Sequence, residues 1–388
     1  MLALIYIFWI SCFLIFYNYA GYAILVYLLN RFIPQKSTIT ENFFPSVSFI
    51  VAAFNEEDFI EKKITNSFQQ DYPGLIEYII VTDGSTDRTT EIVSRYPSIR
   101  LLHSSERKGK TAAINRAVES ANYEVLIFSD ANTYLNKYAT KNIARHYSDQ
   151  KVGGVAGEKK VGSLEENALQ AGDSEGVYWK YESFLKNLDS KFYSVVGAAG
   201  ELFSVRRNLY PVVSSKVILD DFVISLQVAG KGYRIIYEPD AYAMELPSFS
   251  IQEEQKRKIR IAAGGFQAMG MLSGLFHFWK HPRLSFLYIS HRVLRWAVSP
   301  FCLILAFLLN IIFVIQENKG IYLLIFVAQS TFYLAAFIGS LISSKKPLFK
   351  AFRISYYFVF MNISVILGFF RYLRGKQPST WEKARRSV

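Results

Sequence analysis

In the stretch EVLIFSDANTYL, residues 124–135, four apolar residues, Val125 to Phe128, run straight into Ser129, Asp130, Ala131 and Asn132. A short apolar run bounded by polar residues reads as a buried strand, and its carboxyl end presents a carboxylate and an amide with one residue between them. Neighbouring segments repeat the pattern. PSVSFIVAAFNEED (45–58) is an apolar strand breaking into a polar loop. IEYIIVTDGSTDRTTEIVSRYP (76–97) is a strand, a turn and a helix that Ser85 or Thr86 would cap. IRLLHSS (99–105) is a further strand, and GKTAAINRAVESA (109–121) a helix with Ala113, Ala117 and Ala121 on one face. Strands alternating with helical patterns predict an α/β domain with a mostly parallel sheet covered by helices on both faces. Ligands of such sheets bind outside the carboxyl ends of the strands, where Asn55, Glu56, Asp83, Asp130 and Asn132 stand.

Outward from this domain the composition changes. Residues 1–29 carry no charge and are long enough to cross a bilayer core of about 30 Å, and their apolar run is too long for a signal peptide, so a retained anchor is expected over 1–30. Arg31 and Lys36 follow it, which places the central domain on the cytoplasmic face of a cell membrane. Segments 296–315 and 321–342 read as a helical hairpin; 355–370 is shorter, and whether it spans decides the side on which the basic tail, 374–388, ends. The expected organisation is an anchor over 1–30, a soluble domain over 45–250, interfacial helices over 251–295 and spans over 296–373, the soluble domain thus being inserted between transmembrane helices in a multi-pass protein. Cys12 and Cys302 are the only cysteines and both fall in apolar segments, which leaves no disulfide framework or thiolate metal site. The net charge of +12 clusters beside apolar segments and fits anionic lipid headgroups better than nucleic acid, which would require a basic groove with interleaved aromatics.

In order and spacing, VAAFNEE, VTDGSTDRT, ERKGKTAAIN and FSDANT resemble the donor-binding half of family 2 glycosyltransferases, inverting nucleotide-sugar enzymes with a GT-A fold. The likeness continues through VGAAGELFSVRRNLY, LDDFVISLQVAGKGYRIIYEPDA and QKRKIRIAAGGFQAM, covering roughly 45–270. With the apolar ends included, the chain is similar to membrane-bound synthases of poly-N-acetylglucosamine, hyaluronan and cellulose. The resemblance implies a UDP-sugar donor, a polysaccharide acceptor with coupled export or a lipid acceptor taking a single sugar, and a small membrane partner subunit. A catalytically silent nucleotide-binding scaffold is a rival of another class; such a protein would have lost its acidic residues, and here they are present.

Residue by residue, the resemblance implies that Phe54, Asn55 and Glu56 surround the base, that Asp83 binds the nucleobase or ribose, and that Lys110 lies near the nucleotide. Asp130, with Asn132 where a second aspartate is common, would bind Mg²⁺ or Mn²⁺ bridged to the diphosphate through hard oxygen donors. Gly197 and Gly200 let backbone approach the donor, and Glu201 would contact a sugar hydroxyl. Asp221, second of the pair Asp220–Asp221, aligns with the general base, and adjacent carboxylates raise one another's pKa toward a useful value. Both also suit the first turn of a helix. Arg257 and Arg260, three apart on one helical face, would neutralise the leaving diphosphate. Ile261 stands where cellulose synthase-like members carry an acceptor-stacking tryptophan. Tyr178, Trp179 and Tyr181 receive no role.

Overall fold

A strand buried on both faces needs apolar side chains at every position, and Val47–Ala53 supplies seven consecutive buried residues. In the computed structural model, which describes residues 1–33, 39–162, 174–246, 250–316, 320–342, 349–375 and 377, this strand lies inside an eight-stranded sheet. The strands are β1 (Val47–Ala53), β2 (Ile76–Asp83), β3 (Ile99–Ser104), β4 (Val125–Asp130), β5 (Thr133–Leu135), β6 (Val152–Val161), β7 (Leu202–Arg206) and β8 (Arg234–Glu245). Their spatial order is β3-β2-β1-β4-β7-β6-β8-β5. β1 pairs in parallel with β2 and β4, and β3 extends the same run; β7 is antiparallel to both neighbours, and β5 is antiparallel to β8. The mostly parallel sheet expected from the sequence is present.

The helices, in chain order, are α1 (Leu2–Phe32), α2 (Ile60–Phe68), α3 (Thr89–Ser94), α4 (Lys110–Ser120), α5 (Ala139–Ala144) and α6 (Ser174–Phe192). They continue with α7 (Asp220–Gly230), α8 (Ile251–Met271), α9 (Pro282–Ile315), α10 (Ile321–Leu341) and α11 (Lys350–Leu373). Alternate β1 residues enter opposite cores. Val47, Phe49 and Val51 pack with Ile60 and Ile64 of α2 and with Ile143 of α5, whereas Ile50 and Ala52 pack with Ala113 and Ala117 of α4 and with the buried face of α7. The helix after β2 starts later than expected: α3 begins at Thr89, and Asp87 rather than Ser85 or Thr86 accepts its first amide, at 3.0 Å. Ser85 and Thr86 instead bond to Asn55.

Four helices, α1, α9, α10 and α11, are long and apolar enough to cross a membrane. α9 runs without interruption through positions 295 and 296, where the sequence suggested a change from interfacial to spanning helix, and α11, at 24 residues, is longer than its 16-residue apolar run suggested. Residues 378–388, most of the expected basic tail, lie outside the described residues, as does Lys36.

Polar contacts fasten helix α6 to α1 and α9. Tyr22 of α1 donates to Asp189 Oδ1 at 2.6 Å, His291 Nδ1 of α9 lies 2.5 Å from Asp189 Oδ2, and Arg295 of α9 donates to Glu182 at 3.0 Å. Both spans widen into π-helical turns where they meet, at Tyr17–Gly21 and Ile289–Val298, with Tyr17 Oη and Ser290 Oγ 2.8 Å apart. α8, capped by the Ser250 hydroxyl, packs flat on α9: a Cβ on Gly265 would lie 2.3 Å from the Trp296 ring, so only glycine permits this approach. The helix expected to be interfacial therefore lies directly against α9.

Candidate active site

One cavity of about 720 Å³ lies beyond the carboxyl ends of β1 and β4, closed by α7 and α8. Of the residues given a donor, metal, sugar or catalytic role in the sequence, its lining includes all except Phe54, Asn55 and Asp83. Those three have other surroundings. Asp83 is buried, and its Oδ2 accepts from the backbone amides of Lys108 at 2.9 Å and Gly109 at 2.6 Å, so this carboxylate shapes the loop leading into α4. Asn55, held at a positive φ of 54°, accepts from Thr86 N at 2.8 Å and ties the β1 loop to the β2 loop. Phe54 carries the Arg107 guanidinium over its ring at 3.8 Å.

At the cavity, Lys110 Nζ donates to Asp130 Oδ1 at 2.5 Å. Burial pushes the Asp130 carboxyl above its ordinary range although Lys110 pulls it down. For Lys110 burial acts against the charge, but Asp130, Asp220 and Asp221 outweigh it and hold the ammonium protonated. Lys63, buried completely, donates to Ser129 Oγ at 2.6 Å and to Thr133 O at 2.9 Å and so fastens both sides of the turn that displays Asp130 and Asn132. Burial lowers its pKa to about 7, with Asp130 opposing the fall. Sequence reading passed over this lysine. The one available signal was its place between Ile60, Ile64 and Ser67 on the buried face of α2.

Among the described residues no three His, Cys, Asp or Glu side chains cluster as a metal cage. The oxygen donors present, the Asp130 carboxylate and Asn132, fit a hard divalent cation that takes its remaining ligands from water and phosphate. A carboxylate pair, Asp220 and Asp221, lines the same cavity at the start of α7. Asp220 is buried, and its Oδ2 has no hydrogen-bond partner among the described residues. Asp221 is pushed up to about 7, first by burial and then by the Asp220 carboxylate, with Lys110 acting in the opposite sense. The backbone of Gly200 separates it from Lys110: a Cβ there would lie 3.0 Å from Lys110 Nζ and 3.4 Å from Asp221 Oδ2. Glycine thus leaves open the space between the two ends of the site.

The two arginines of α8 differ. Arg257 donates to Glu201 Oε1 at 3.1 Å and Glu245 Oε2 at 3.4 Å, and buried Lys159 bonds to the same two carboxylates. Burial acts against the Glu201 charge, but Lys159 and Arg257 outweigh it and hold the group well below the usual carboxylate range. Glu201, expected to meet a sugar hydroxyl, is thus engaged with cations. Arg260, one turn further on, lines the cavity and makes no hydrogen bond or ion pair with a described residue; the acidic groups that act on its charge are Asp220, Asp221 and Asp130. Lys159 and Glu245 were not singled out from the sequence. Tyr178 and Trp179 line the cavity, and the Tyr181 hydroxyl bonds to Tyr19 O at 2.9 Å.

Residues 48–212 match the family model described as Glycosyl transferase family 2. The chain is 24% identical over 250 residues to the poly-beta-1,6-N-acetyl-D-glucosamine synthase of Staphylococcus aureus (strain MSSA476), covering 63% of this chain and 59% of the relative. Against the synthase of the same name from Staphylococcus epidermidis it is 23% identical over 230 residues, covering 58% and 55%. The matched region thus spans less than two thirds of these relatives. In structure it is similar to the mannosyltransferase PcManGT from Pyrobaculum calidifontis, solved in complex with GDP-Man and Mn2+, with a TM-score of 0.72, 20% sequence identity, and 95% of this chain and 99% of that one covered. Strand order, the cavity at the strand ends and these likenesses agree: residues 48–212 match the glycosyl transferase family 2 model, and the fold is similar to that of a solved mannosyltransferase.

Proposed function

We propose that this protein transfers a sugar, with inversion, from a nucleotide-diphosphate sugar to an acceptor hydroxyl at the cytoplasmic face of a membrane. The observation that carries the reading is Asp221, whose carboxyl sits at about 7 in the cavity that also holds the Lys110–Asp130 pair. A general base works best when its pKa lies near the operating pH. Asp221 takes the proton of the acceptor hydroxyl as that oxygen attacks the anomeric carbon, and Asp220 keeps it basic by repulsion. Lys110 and Arg260 face the diphosphate and stabilise the charge that develops as it leaves. Asp130 and Asn132 are the residues that would hold Mg²⁺ or Mn²⁺, which when bound neutralises diphosphate charge. Arg257, locked to Glu201 and Glu245, acts by holding α8 in place.

The donor is a UDP-sugar in this reading, supported by the likeness to poly-N-acetylglucosamine synthases; the GDP-Man held by the structural neighbour makes guanine the alternative base. The acceptor is a growing polysaccharide with coupled export, or a membrane lipid taking one sugar. Release of nucleotide by the full chain in lipid nanodiscs, measured against a panel of UDP- and GDP-sugars with Mn²⁺ or Mg²⁺, tests the reading. One active donor, with activity lost in Asp221→Asn, supports it, and product size separates polymer from single addition. No release in the presence of lipid and saccharide acceptors, together with no metal-dependent nucleotide binding, overturns it.

A further inference from the structure

α11 is long and apolar enough to cross a membrane, yet its contacts set both of its ends on one side of the helical bundle. α10 supplies the reference. It starts at the end remote from α6, where the Tyr322 ring lies 5.6 Å from that of Phe8 and 4.9 Å from that of Phe313. It then retraces α9, with Asn310 donating to Gln329 at 3.0 Å and the Tyr333 ring 5.1 Å from that of Phe307, toward the part of α9 that holds Glu182 of α6 through Arg292 and Arg295. α11 begins there: its Phe352 carbonyl packs so closely on Gly339 of α10 that no Cβ fits between them.

At 1.5 Å per residue the helix rises about 28 Å from Phe352 to Arg371, so a span antiparallel to α10 would set Arg371 beside the start of α10. Arg371 instead lines the cavity that holds Asp221. The residues between follow the same course. The Tyr357 ring lies 6.0 Å from that of Tyr178 of α6, and Asn362 accepts from Tyr19 of α1 at 2.8 Å. A Cβ on Gly368 would lie 2.9 Å from Ile259 O of α8, the helix that carries Arg257 and Arg260. The Phe369 ring lies 5.4 Å from that of Phe301, just past the π-helical turns of α9. α11 thus crosses its neighbours sideways, on the α6 side of the bundle. Its charges agree: Lys350 and Arg353 stand at one end and Arg371 and Arg374 at the other, and basic residues favour a single side of a membrane. Its uncovered surface is apolar. Ile363, Leu367 and Phe370, at i, i+4 and i+7, form one stripe and are 45%, 42% and 47% exposed, whereas Tyr357, Phe360, Ser364 and Gly368 are buried.

We infer that α11 does not cross the membrane: it lies in the leaflet on the side of the cavity, with Ile363, Leu367 and Phe370 among the acyl chains and its basic ends at anionic headgroups. A lipid leaflet is the occupant to which the geometry leads, because the stripe adjoins Phe369, whose ring meets Phe301 at the start of the apolar part of α9. α1, α9 and α10 are then the helices that cross, and the chain leaves α11 on the side where it entered. This arrangement holds whether or not the cavity transfers a sugar.

The test labels the full chain, carrying Cys12→Ser and Cys302→Ser, with a membrane-impermeant maleimide in inside-out and in right-side-out vesicles. Single cysteines report the sides: Ser215→Cys for the domain with the sheet, Gln316→Cys for the end of α9, and Lys350→Cys and Arg374→Cys for the two ends of α11. Labelling of Lys350→Cys and Arg374→Cys in the same vesicles as Ser215→Cys, with Gln316→Cys labelled in the opposite ones, supports the inference. Labelling of Arg374→Cys together with Gln316→Cys overturns it. Depth is read separately, from a fluorophore on Leu367→Cys beside one on Leu308→Cys, which is 52% exposed midway along the apolar part of α9. The vesicles hold lipids with a nitroxide either near the headgroup or at the end of the acyl chain. Quenching at Leu367→Cys chiefly by the shallow nitroxide, and at Leu308→Cys chiefly by the deep one, supports the leaflet position. Loss of all quenching at Leu367→Cys, or the same deep response at both positions, overturns it.

Discussion

Lys110 Nζ stands 2.5 Å from Asp130 Oδ1, so the carboxylate assigned to a divalent cation is already paired with an ammonium. The two charges compete for one oxygen. A cation that arrives with a diphosphate gives the lysine a new anionic partner as it takes the carboxylate, so metal and nucleotide are expected to bind together. Calorimetric titration of nucleotide diphosphate with and without Mn²⁺ checks this. Binding in Mn²⁺ should be at least about tenfold tighter than in chelator for the wild type, and Asp130→Ala should abolish the difference. Unchanged metal dependence in that variant would remove Asp130 as ligand.

Asp221→Asn keeps the shape of the site and removes the proton acceptor. Nucleotide affinity should stay within a few-fold, and turnover should fall by about 10² to 10⁴, the range in which general bases contribute. The same carboxyl sets the pH profile. With its pKa at about 7, turnover should rise with pH through that value as the base loses its proton. Asp220→Asn removes the repulsion that helps to hold the pKa up, so the acidic limb should move to lower pH. A limb that moves upward or stays in place would show that another group controls it.

Arg260 and Arg257 share a helical face but not a task. Arg260→Met should lower turnover by about 10² to 10³, as the loss of one charge-stabilising donor does, with the thermal midpoint close to wild type. Arg257→Met takes from Glu201 and Glu245 a cation that they share with Lys159, and breaking a buried pair costs about 3–5 kcal/mol. Its midpoint should therefore fall by several degrees, and Arg257→Lys should recover most of the loss. Thermal scans in detergent beside initial rates separate the two, and equal behaviour of both variants would contradict the division.

The sheet and most of the cavity were legible because their signals are local. β1 and β4 read as apolar runs that end in polar groups, and the strand-end rule then placed Asp130 and Asn132 at the cavity. Asp220 and Asp221 announced both a helix start and a charge pair within two residues. The residues that set the electrostatics were hidden by sequence distance. Lys159 meets partners 42 and 86 positions away, so in VGGVAGEKKV it looks like a solvated lysine, although it is almost fully buried. Asp83 was read as a ligand residue because a strand-end carboxylate before glycine suits a nucleotide. Within the chain its Oδ2 accepts from the amides of Lys108 and Gly109 and its Oδ1 lies 3.5 Å from Arg116, and the two amides are backbone groups that no side-chain pattern reveals.

Lys63 gives the last expectation, which concerns stability. Its pKa falls from an ordinary 10.5 to about 7 in the folded chain, chiefly through burial. Below about pH 7 the lysine is charged in both the folded and unfolded states, and the full cost of burying that charge is present. Between about 7 and 10.5 the unfolded chain binds the proton and the folded one does not, so stability rises with pH across this window. Lys63→Met removes that slope and also the bonds to Ser129 and Thr133, which hold the turn carrying Asp130. Thermal midpoints of wild type and variant measured from pH 6 to pH 10 should therefore draw apart as pH increases, the wild type gaining relative to the variant, while metal-dependent nucleotide binding weakens in the variant. Parallel midpoint curves across that range would show that burial does not depress the pKa of this lysine.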